Sequence, residues 1–142
     1  MNELIGLCGE EPNDELVERC KHEAHFLHSK LNMLLSTGVK NVFLKMGEKG
    51  LIYANEKEMY SIEAAKVDRV VSVNGAGDSL VGGIISKLVE EEKSTIFDCI
   101  SHGLWCAKLT LESEETISPK ITTGMEKPTN LTFLRFPPPK VN

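Results

Sequence analysis

Ser72-Val-Asn-Gly-Ala-Gly-Asp-Ser-Leu-Val-Gly-Gly83 is the most informative stretch of the sequence. In it, Gly75 and Gly77 flank Ala76 at the start of a predicted helix. Glycine lets the backbone turn sharply and lets a ligand approach the main chain closely. The first N–H groups of a helix have no partner within the helix, and the helix dipole adds positive potential at that end. We therefore expect an anion-binding site at residues 75–77.

Asp78 lies in the first turn of this predicted helix, beside the expected anion site. An acid next to a bound phosphate is repelled by it, so its position suggests a second role. Asp78 would act as a general base, taking a proton from an alcohol that attacks phosphorus, while the backbone amides stabilise the transferring phosphoryl group. The alternative is an ordinary helix start, in which Asp78 only complements the dipole. Gly82 and Gly83, each unfavourable in a helix by about 1 kcal/mol relative to alanine, indicate a close-packed neighbour or a ligand.

Length and composition are typical of a soluble globular protein. The 142 residues are 41% hydrophobic and 26% charged, enough for one compact domain with a core. A net charge of −5 argues against a nucleic-acid partner, and no apolar run is long enough to span a membrane. The cysteines at positions 8, 20, 99 and 106 lack a paired spacing, which favours reduced thiols and a cytoplasmic location.

The first half of the chain predicts a long helix followed by a hairpin. Apolar residues at three- and four-residue spacing predict one helix over residues 13–36. Asn13 would cap this helix, and Gly38 would end it. Short apolar runs then predict a buried strand over residues 41–46 and a second, antiparallel strand over residues 51–54.

The second half predicts extended chain over residues 59–64 and then two helices. The helix after the glycine motif covers residues 76–92. Its predicted apolar face consists of residues at helical spacing: Ala76, Leu80, Val81, Ile84, Ile85 and Leu88. Ser94 would cap the next helix, which runs to about Leu111, and from Thr122 onward the chain reads as a loop. This order of elements is typical of an α/β fold, and no domain linker is evident.

The glycine motif resembles the second signature of the PfkB family of carbohydrate and nucleoside kinases. Residues 74–79, Asn-Gly-Ala-Gly-Asp-Ser, are similar to the family pattern Asp-Thr-x-Gly-Ala-Gly-Asp. The resemblance implies that Gly75, Ala76 and Gly77 form the anion hole and that Asp78 is the catalytic base. It also implies a ribokinase-like three-layer α/β/α fold, with a sheet flanked by helices, of which this chain would be the carboxyl-terminal portion.

Two further segments resemble the nucleotide site of the family. Lys45-Met-Gly-Glu-Lys-Gly50 is similar to the strand and glycine turn that line this site, with Gly47 and Gly50 as the matching glycines. The segment from His102 to Ala107 lies where the family builds one wall of the adenine pocket. Taken alone, an ordinary hairpin turn and a plain amphipathic helix are the alternatives for these two segments.

Asn74 and Glu3 complete the residues that the resemblance assigns to cofactors. Asn74 fills the variable position of the signature, next to the anion hole. Glu3 resembles the acid of the family's Asn-x-x-Glu element, which helps to organise magnesium and phosphate, although the Asn would fall before Met1. The cofactors implied are ATP and Mg²⁺. Ser72 and Val73 replace the Asp and Thr that open the family signature, so activation by K⁺ stays open.

The resemblance extends to about Pro119, with residues 121–142 as a tail. It implies ATP-dependent phosphorylation of a primary hydroxyl on a sugar or nucleoside. The form of residues 72–78 and the stretch 112–119 are closest to the pseudouridine-kinase-like branch, which suggests pseudouridine as the acceptor.

The family's amino-terminal half, with most of its sugar-binding residues and its β-sheet lid, is not visible in the sequence. We therefore interpret residues 1–142 as one partial kinase domain that has the base and the phosphate cradle but little turnover alone. A sheet edge left exposed in such a domain favours a homodimer. Two alternatives remain: a catalytically inactive nucleotide-binding or interaction module, and an unrelated α/β protein that binds another anion.

Three histidines, His22, His25 and His28, recur every third residue on the first predicted helix. A metal site would use such side chains, but steps of three drift around a helix and no fourth ligand lies at a suitable spacing. We interpret them as a solvated helix face.

Overall fold

The computed structural model describes residues 1–90, 94–122, 125 and 131–136. These residues form two compact units. The first unit contains the described residues of Met1–Glu63 and of Thr132–Asn142, and the second contains those of Ala64–Leu131. Each unit has helices, and the first also has the sheet.

Helices precede the sheet in the first unit: α1 (Asn2–Leu7), α2 (Asp14–His22) and α3 (Ala24–Ser36). The prediction of one helix over residues 13–36 is therefore wrong, because Glu23 takes an extended backbone conformation with φ −105° and ψ 98° and separates α2 from α3. The apolar stripe is buried on both sides of this break, so its periodicity did not reveal it. The predicted cap is confirmed, since Oδ1 of Asn13 accepts a hydrogen bond from the Leu16 N–H at 2.9 Å.

The sheet consists, within the described residues, of four antiparallel strands in sequence order: β1 (Val42–Lys45), β2 (Leu51–Ala54), β3 (Met59–Ile62) and β4 (Phe133–Phe136). The hairpin of β1 and β2 was predicted, but β1 is an edge strand in which only Leu44 is buried, whereas all four residues of β2 are buried. The prediction of a wholly loop-like tail is wrong, because residues 133–136 pair with β3. A four-residue strand has too few side chains to show a periodicity.

The core of the first unit lies between one face of the sheet and the helices α1 and α3. It is formed by buried residues of α1, α3 and the strands: Leu4, Leu27, Leu31, Leu35, Leu44, Ile52, Ala54 and Met59. Residues directly opposite on neighbouring strands, such as Ala54 and Met59, share a face of the sheet, which explains why they lie in the same cluster. The unit is therefore a helix layer on a sheet, as the α/β pattern predicts.

The second unit is built on two helices, α4 (Ala76–Glu90) and α5 (Ile96–Leu111). The cap of α5 is Thr95 and not the predicted Ser94. Thr95 Oγ1 accepts from the Asp98 N–H at 3.2 Å, and the Asp98 carboxylate accepts from the Thr95 N–H at 3.0 Å. This reciprocal capping box satisfies two first-turn donors, which a cap at Ser94 would not do. Residues 91 and 92, predicted as the end of α4, lie outside the described residues.

A pair of glycines lets α4 and α5 approach closely. A Cβ on Gly83 would lie 2.8 Å from Sγ of Cys106 and 2.9 Å from Cα of Gly103. A Cβ on Gly103 would lie 2.5 Å from the carbonyl oxygen of Leu80. The close-packed neighbour expected against Gly83 is therefore α5. Gly82 differs, because it is exposed and a Cβ there would meet nothing within 4 Å.

The apolar residues of α4 do not form one buried face, which corrects the sequence prediction. Leu80 and Ile84 are buried, but Val81, Ile85 and Leu88 are exposed. The reason is geometric: α5 covers the side of α4 that carries Leu80, Gly83 and Ile84, and the other three residues lie around the helix from that side.

We expect Gly83→Ala to lower the free energy of unfolding by about 1–3 kcal/mol, because the added methyl group overpacks the contact with α5. Gly82→Ala is the matched control, one residue away in the same helix. It should raise the free energy of unfolding by about 1 kcal/mol, since it removes a helix-interior glycine without a new clash. Urea denaturation followed by circular dichroism measures both values, and equal effects of the two changes would contradict the glycine contact.

The pH dependence of stability should carry a contribution from Cys106. Cys106 is a thiol outside any disulfide, and burial raises its pKa to about 11. In the unfolded chain the pKa of a thiol is about 8.5. Because the folded chain keeps the thiol protonated to higher pH, burial of the neutral thiol stabilises the fold below pH ~8.5. This contribution to the free energy of unfolding is lost as the pH rises toward 11. We expect the free energy of unfolding to fall less over this range in Cys106→Ala than in the unchanged chain. Identical pH slopes in urea denaturation would contradict it.

Candidate active site

The glycine turn before α4 has the conformation and the space that only glycine permits. Gly75 has φ 76°, in the left-handed region, and its carbonyl accepts the Ser79 N–H at 2.8 Å. A Cβ on Gly75 would overlap the backbone oxygen of Thr116. The first helical residues after this turn, from Ala76 onward, have N–H groups without partners inside the helix. The expected anion site therefore has a backbone that can form it.

Asp78 lies in the first turn of α4, and its side chain is exposed. Within the described part of the chain, this carboxylate has no hydrogen-bond or ion-pair partner. A helix start favours a negative charge electrostatically, but none of the residues described in the second unit holds the side chain in place. Asp78 is therefore free to accept a hydrogen bond from a ligand.

A buried hydroxyl cluster lies behind Asp78. Ser79 and Thr110 share a hydrogen bond of 2.7 Å between Oγ and Oγ1. The backbone N–H of Ser118 also donates to Thr110 Oγ1, at 3.3 Å. All three residues are 5% exposed or less. Thr110 therefore connects the first turn of α4 to α5 and to the segment after it, and with the Gly75–Thr116 approach this segment is held against the glycine turn.

The segment before the glycine turn is also attached to the end of α5. The N–H groups of Val71 and Ser72 both donate to the Leu111 carbonyl, at 2.7 and 3.3 Å. The Asp68 N–H donates to a carboxylate oxygen of Glu112 at 3.0 Å. The carboxyl end of α5 therefore holds both the segment before the glycine turn and, through Thr110, the first turn of α4 after it. Sequence reasoning did not identify these contacts, because they join residues far apart in the sequence, which no local pattern reveals.

The other predicted site residues of the second unit occupy less defined positions. Asn74 is exposed, and its N–H donates to Ser72 Oγ at 3.2 Å. His102 and Ala107 are both half-buried on α5. Because they are five positions apart on a helix with 3.6 residues per turn, they lie on different sides of it. A common wall for a nucleotide base stays a prediction.

The remaining candidates, Lys45, Gly47, Gly50 and Glu3, belong to the first unit. Lys45 ends β1 and is exposed, and both glycines have positive φ, 61° and 92°. The exposed Glu3 carboxylate accepts from the amino terminus at 3.2 Å. The pKa of Glu3 is lowered, first by a hydrogen bond from its own backbone N–H and then by that terminal charge. The structure thus describes two groups of candidate residues, one in each unit.

The predicted solvated histidine face holds for two of its three members. His22 and His25 are exposed, and His22 lies 3.2 Å from a Glu18 carboxylate oxygen. His28 is half-buried, and burial lowers its pKa. Its ring packs edge-on against that of Phe136, with 6.3 Å between the ring centroids.

Among the described residues, no group of three or more His, Cys, Asp or Glu side chains is arranged to hold a metal ion. In the same residues, none of the helices combines the length and apolarity needed to cross a membrane.

We expect Thr110→Val to lower the free energy of unfolding by about 1–3 kcal/mol, because the isosteric change leaves the Ser79 hydroxyl and the Ser118 N–H buried without their partner. The control is Thr95→Val, which removes a hydroxyl from an exposed cap and should cost about 1 kcal/mol. Hydrogen exchange separates the two: the first turn of α4 should exchange faster only in Thr110→Val. Unchanged exchange there would contradict the role of Thr110.

The sequence and fold are similar to those of sugar kinases. A ribokinase from Staphylococcus aureus is 31% identical over 81 residues, which are 57% of this chain and 26% of that protein. A sugar kinase structure from Clostridium perfringens matches with a TM-score of 0.74 and 25% identity, over 95% of this chain and 40% of that one. A fructokinase double mutant from Vibrio cholerae was solved with fructose, ADP and potassium ion bound. It matches with a TM-score of 0.60 and 21% identity, over 80% of this chain and 33% of that one.

These likenesses confirm the predicted ribokinase-like α/β fold. The chain spans less than half the length of each of these relatives. Residues 10–123 match the family model described as pfkB family carbohydrate kinase, which is most of the sequence. The chain therefore belongs to the PfkB family of carbohydrate kinases.

Proposed function

We propose that this chain supplies the phosphate-binding turn and the catalytic base of a kinase that transfers the γ-phosphoryl group of ATP to a primary hydroxyl of a sugar or nucleoside. The observation that carries the proposal is the start of α4. There, a glycine turn leaves N–H groups without helical partners, and the exposed Asp78 side chain lies in the first turn. Membership of a family of carbohydrate kinases supports phosphoryl transfer over other anion chemistry.

The two parts of this helix start have separate tasks in the proposed reaction. The N–H groups of residues 75–77 stabilise the negative charge that develops on the transferring phosphoryl oxygens. Asp78 accepts the proton of the acceptor hydroxyl while the hydroxyl oxygen attacks the γ-phosphorus. The N–H groups and the positive end of the helix dipole offset the repulsion between Asp78 and the phosphate.

The residues of the chain suit a nucleotide with Mg²⁺. Gly75 and Gly77 have no side chains that would keep a phosphate from the backbone. The exposed carboxylate of Glu3 is the kind of group that Mg²⁺ binds directly or through water, and the ion supplies neutralisation of phosphate charge when bound. We propose further nucleotide contacts at the remaining residues of the family pattern: Asn74, Lys45, Gly47, Gly50, His102 and Ala107.

Pseudouridine is the acceptor that we propose, on the form of residues 72–78 and 112–119. The relatives reported above include a ribokinase and a fructokinase, so the family accommodates different acceptors. K⁺ is a further proposed ligand, supported by the potassium ion in the V. cholerae fructokinase. A cytoplasmic location and a homodimer complete this proposal.

A second candidate is a catalytically inactive module that binds nucleotide or another protein. The start of α4 would serve such a module equally well, because its first-turn N–H groups bind an anion whether or not an acceptor is held in line for transfer.

Calorimetric titration with ATP and with ADP, each with Mg²⁺, tests the proposal in the full chain and in Asp78→Asn. We expect saturable binding that is unchanged or tighter in the variant, because the change removes a negative charge next to the phosphate. Phosphoryl transfer to pseudouridine, ribose or fructose, wherever it is detected, should fall by about 10²–10⁴-fold in Asp78→Asn.

Asp68→Asn is the matched control, since Asp68 is an exposed acid of the same unit outside the glycine turn. It should leave both binding and transfer unchanged. Weaker nucleotide binding in Asp78→Asn, with no change in Asp68→Asn, would contradict the base role and assign Asp78 to ligand binding. Binding without any transfer by the unchanged chain would favour the second candidate.

A further inference from the structure

Strand β4 meets α3 through an aromatic contact. Phe136, the last residue of β4, lies edge-on to the His28 ring, with 6.3 Å between the ring centroids. Phe136 is half-buried and packs against the core of the first unit. Main-chain pairing with β3 also holds β4, and a hydrogen bond of 3.3 Å from the Glu63 N–H to the Thr132 carbonyl extends that pairing. A change in the charge of His28 would therefore act directly on a side-chain anchor of β4.

The Nε2 atom of His28 is buried and, among the described residues, has no hydrogen-bond partner. One turn further along α3, the Oδ1 atom of Asn32 is buried and equally without a partner, so it does not bond to the His28 ring. A neutral imidazole carries a proton on one ring nitrogen, whereas an imidazolium carries one on each. Protonation of His28 would therefore leave a charged ring whose buried Nε2–H has no acceptor, and such a group is costly to bury.

The charged groups around His28 do not offset this cost. Burial lowers the pKa of His28, and the charge of His25, three positions earlier on α3, lowers it further. Arg135 precedes Phe136 on β4 and therefore points to the opposite face of the sheet. In the described part of the chain, the charged groups on the other elements packed against α3 do not shift this pKa, among them Glu3 on α1, Glu18 on α2 and Lys45 on β1.

We propose that β4 is a pH-sensitive strap, which is docked on α3 and β3 while His28 is neutral and is released when His28 takes up a proton. Release returns the charged ring to water and leaves β3 as the edge of the sheet. Because docked His28 binds a proton less readily than released His28, acid favours the released state. Docking is therefore strongest above about pH 6.5, the ordinary pKa of histidine, and weakens as the pH falls below that value.

Hydrogen exchange of the unchanged chain, followed by NMR at about pH 7.5 and about pH 5 and corrected for the intrinsic exchange rates, tests this proposal strand by strand. Uptake of one proton changes an opening equilibrium by at most about tenfold per pH unit. We expect the protection factors of the β3–β4 hydrogen bonds, including that of the Glu63 N–H, to fall by about three- to tenfold at the lower pH. The β1–β2 hairpin does not contain β4, and its protection should stay unchanged.

His28→Gln is the deciding variant, because glutamine keeps a polar side chain but does not take up a proton in this pH range. In this variant the protection of β4 should no longer depend on pH. His22→Gln is the matched control, since His22 is an exposed histidine on α2 beside Glu18, and it should keep the pH dependence of the unchanged chain. His25 does not suit as a control, because its charge acts on His28.

An NMR titration of the His28 ring in the unchanged chain decides the matter if His28→Gln does not fold. The ring should titrate below about pH 6.5, and the Phe136 ring signals should shift with it. Titration of His28 at or above that value would overturn the proposal. So would pH-independent protection of β4, an equal loss of protection in all four strands, or an unchanged pH dependence in His28→Gln. None of these measurements involves a nucleotide, so their failure is distinguishable from failure of the proposed function.

Discussion

The approach of the Thr116 carbonyl to Gly75 is the contact on which the rest of the candidate site depends. Any side chain at position 75 would overlap that oxygen, and the left-handed φ of 76° independently favours glycine. The contact fixes the direction in which the chain enters α4. It therefore also fixes where the N–H groups of residues 75–77 point and where the Asp78 side chain begins.

A buried hydroxyl cluster maintains this contact. Thr110 Oγ1 takes part in hydrogen bonds with the Ser79 hydroxyl and with the Ser118 N–H, and all of these groups are shielded from water. Each group would cost about 1–3 kcal/mol if left without a partner. The first turn of α4 and the segment after α5 are therefore held by one threonine. Backbone donors bind an anion best when they are already in place, and this cluster supports the first turn of α4 from behind.

The sequence predicted those features of the fold that are encoded by residues close together in the chain. The Asn13 cap and the glycine turn at Gly75 are encoded within a few residues, and the structure has both. The break at Glu23 involves no glycine or proline, and the strand at residues 133–136 exists only by pairing with β3. Thr110 is equally hidden, because its role arises from a contact with a residue 31 positions away. Sequence patterns therefore predicted the glycine turn better than the residues that support it.

The geometry of α4 assigns packing and candidate chemistry to different parts of one helix. One side packs on α5 through Gly83, and the amino end presents the first-turn N–H groups and the Asp78 carboxylate. Ser79 follows Asp78 in the chain and is held by its hydrogen bond to Thr110 on α5. A change in the packing of the two helices would therefore also displace the candidate base. The glycine contact and the hydroxyl cluster preserve the position of residue 78 whichever ligand the turn binds.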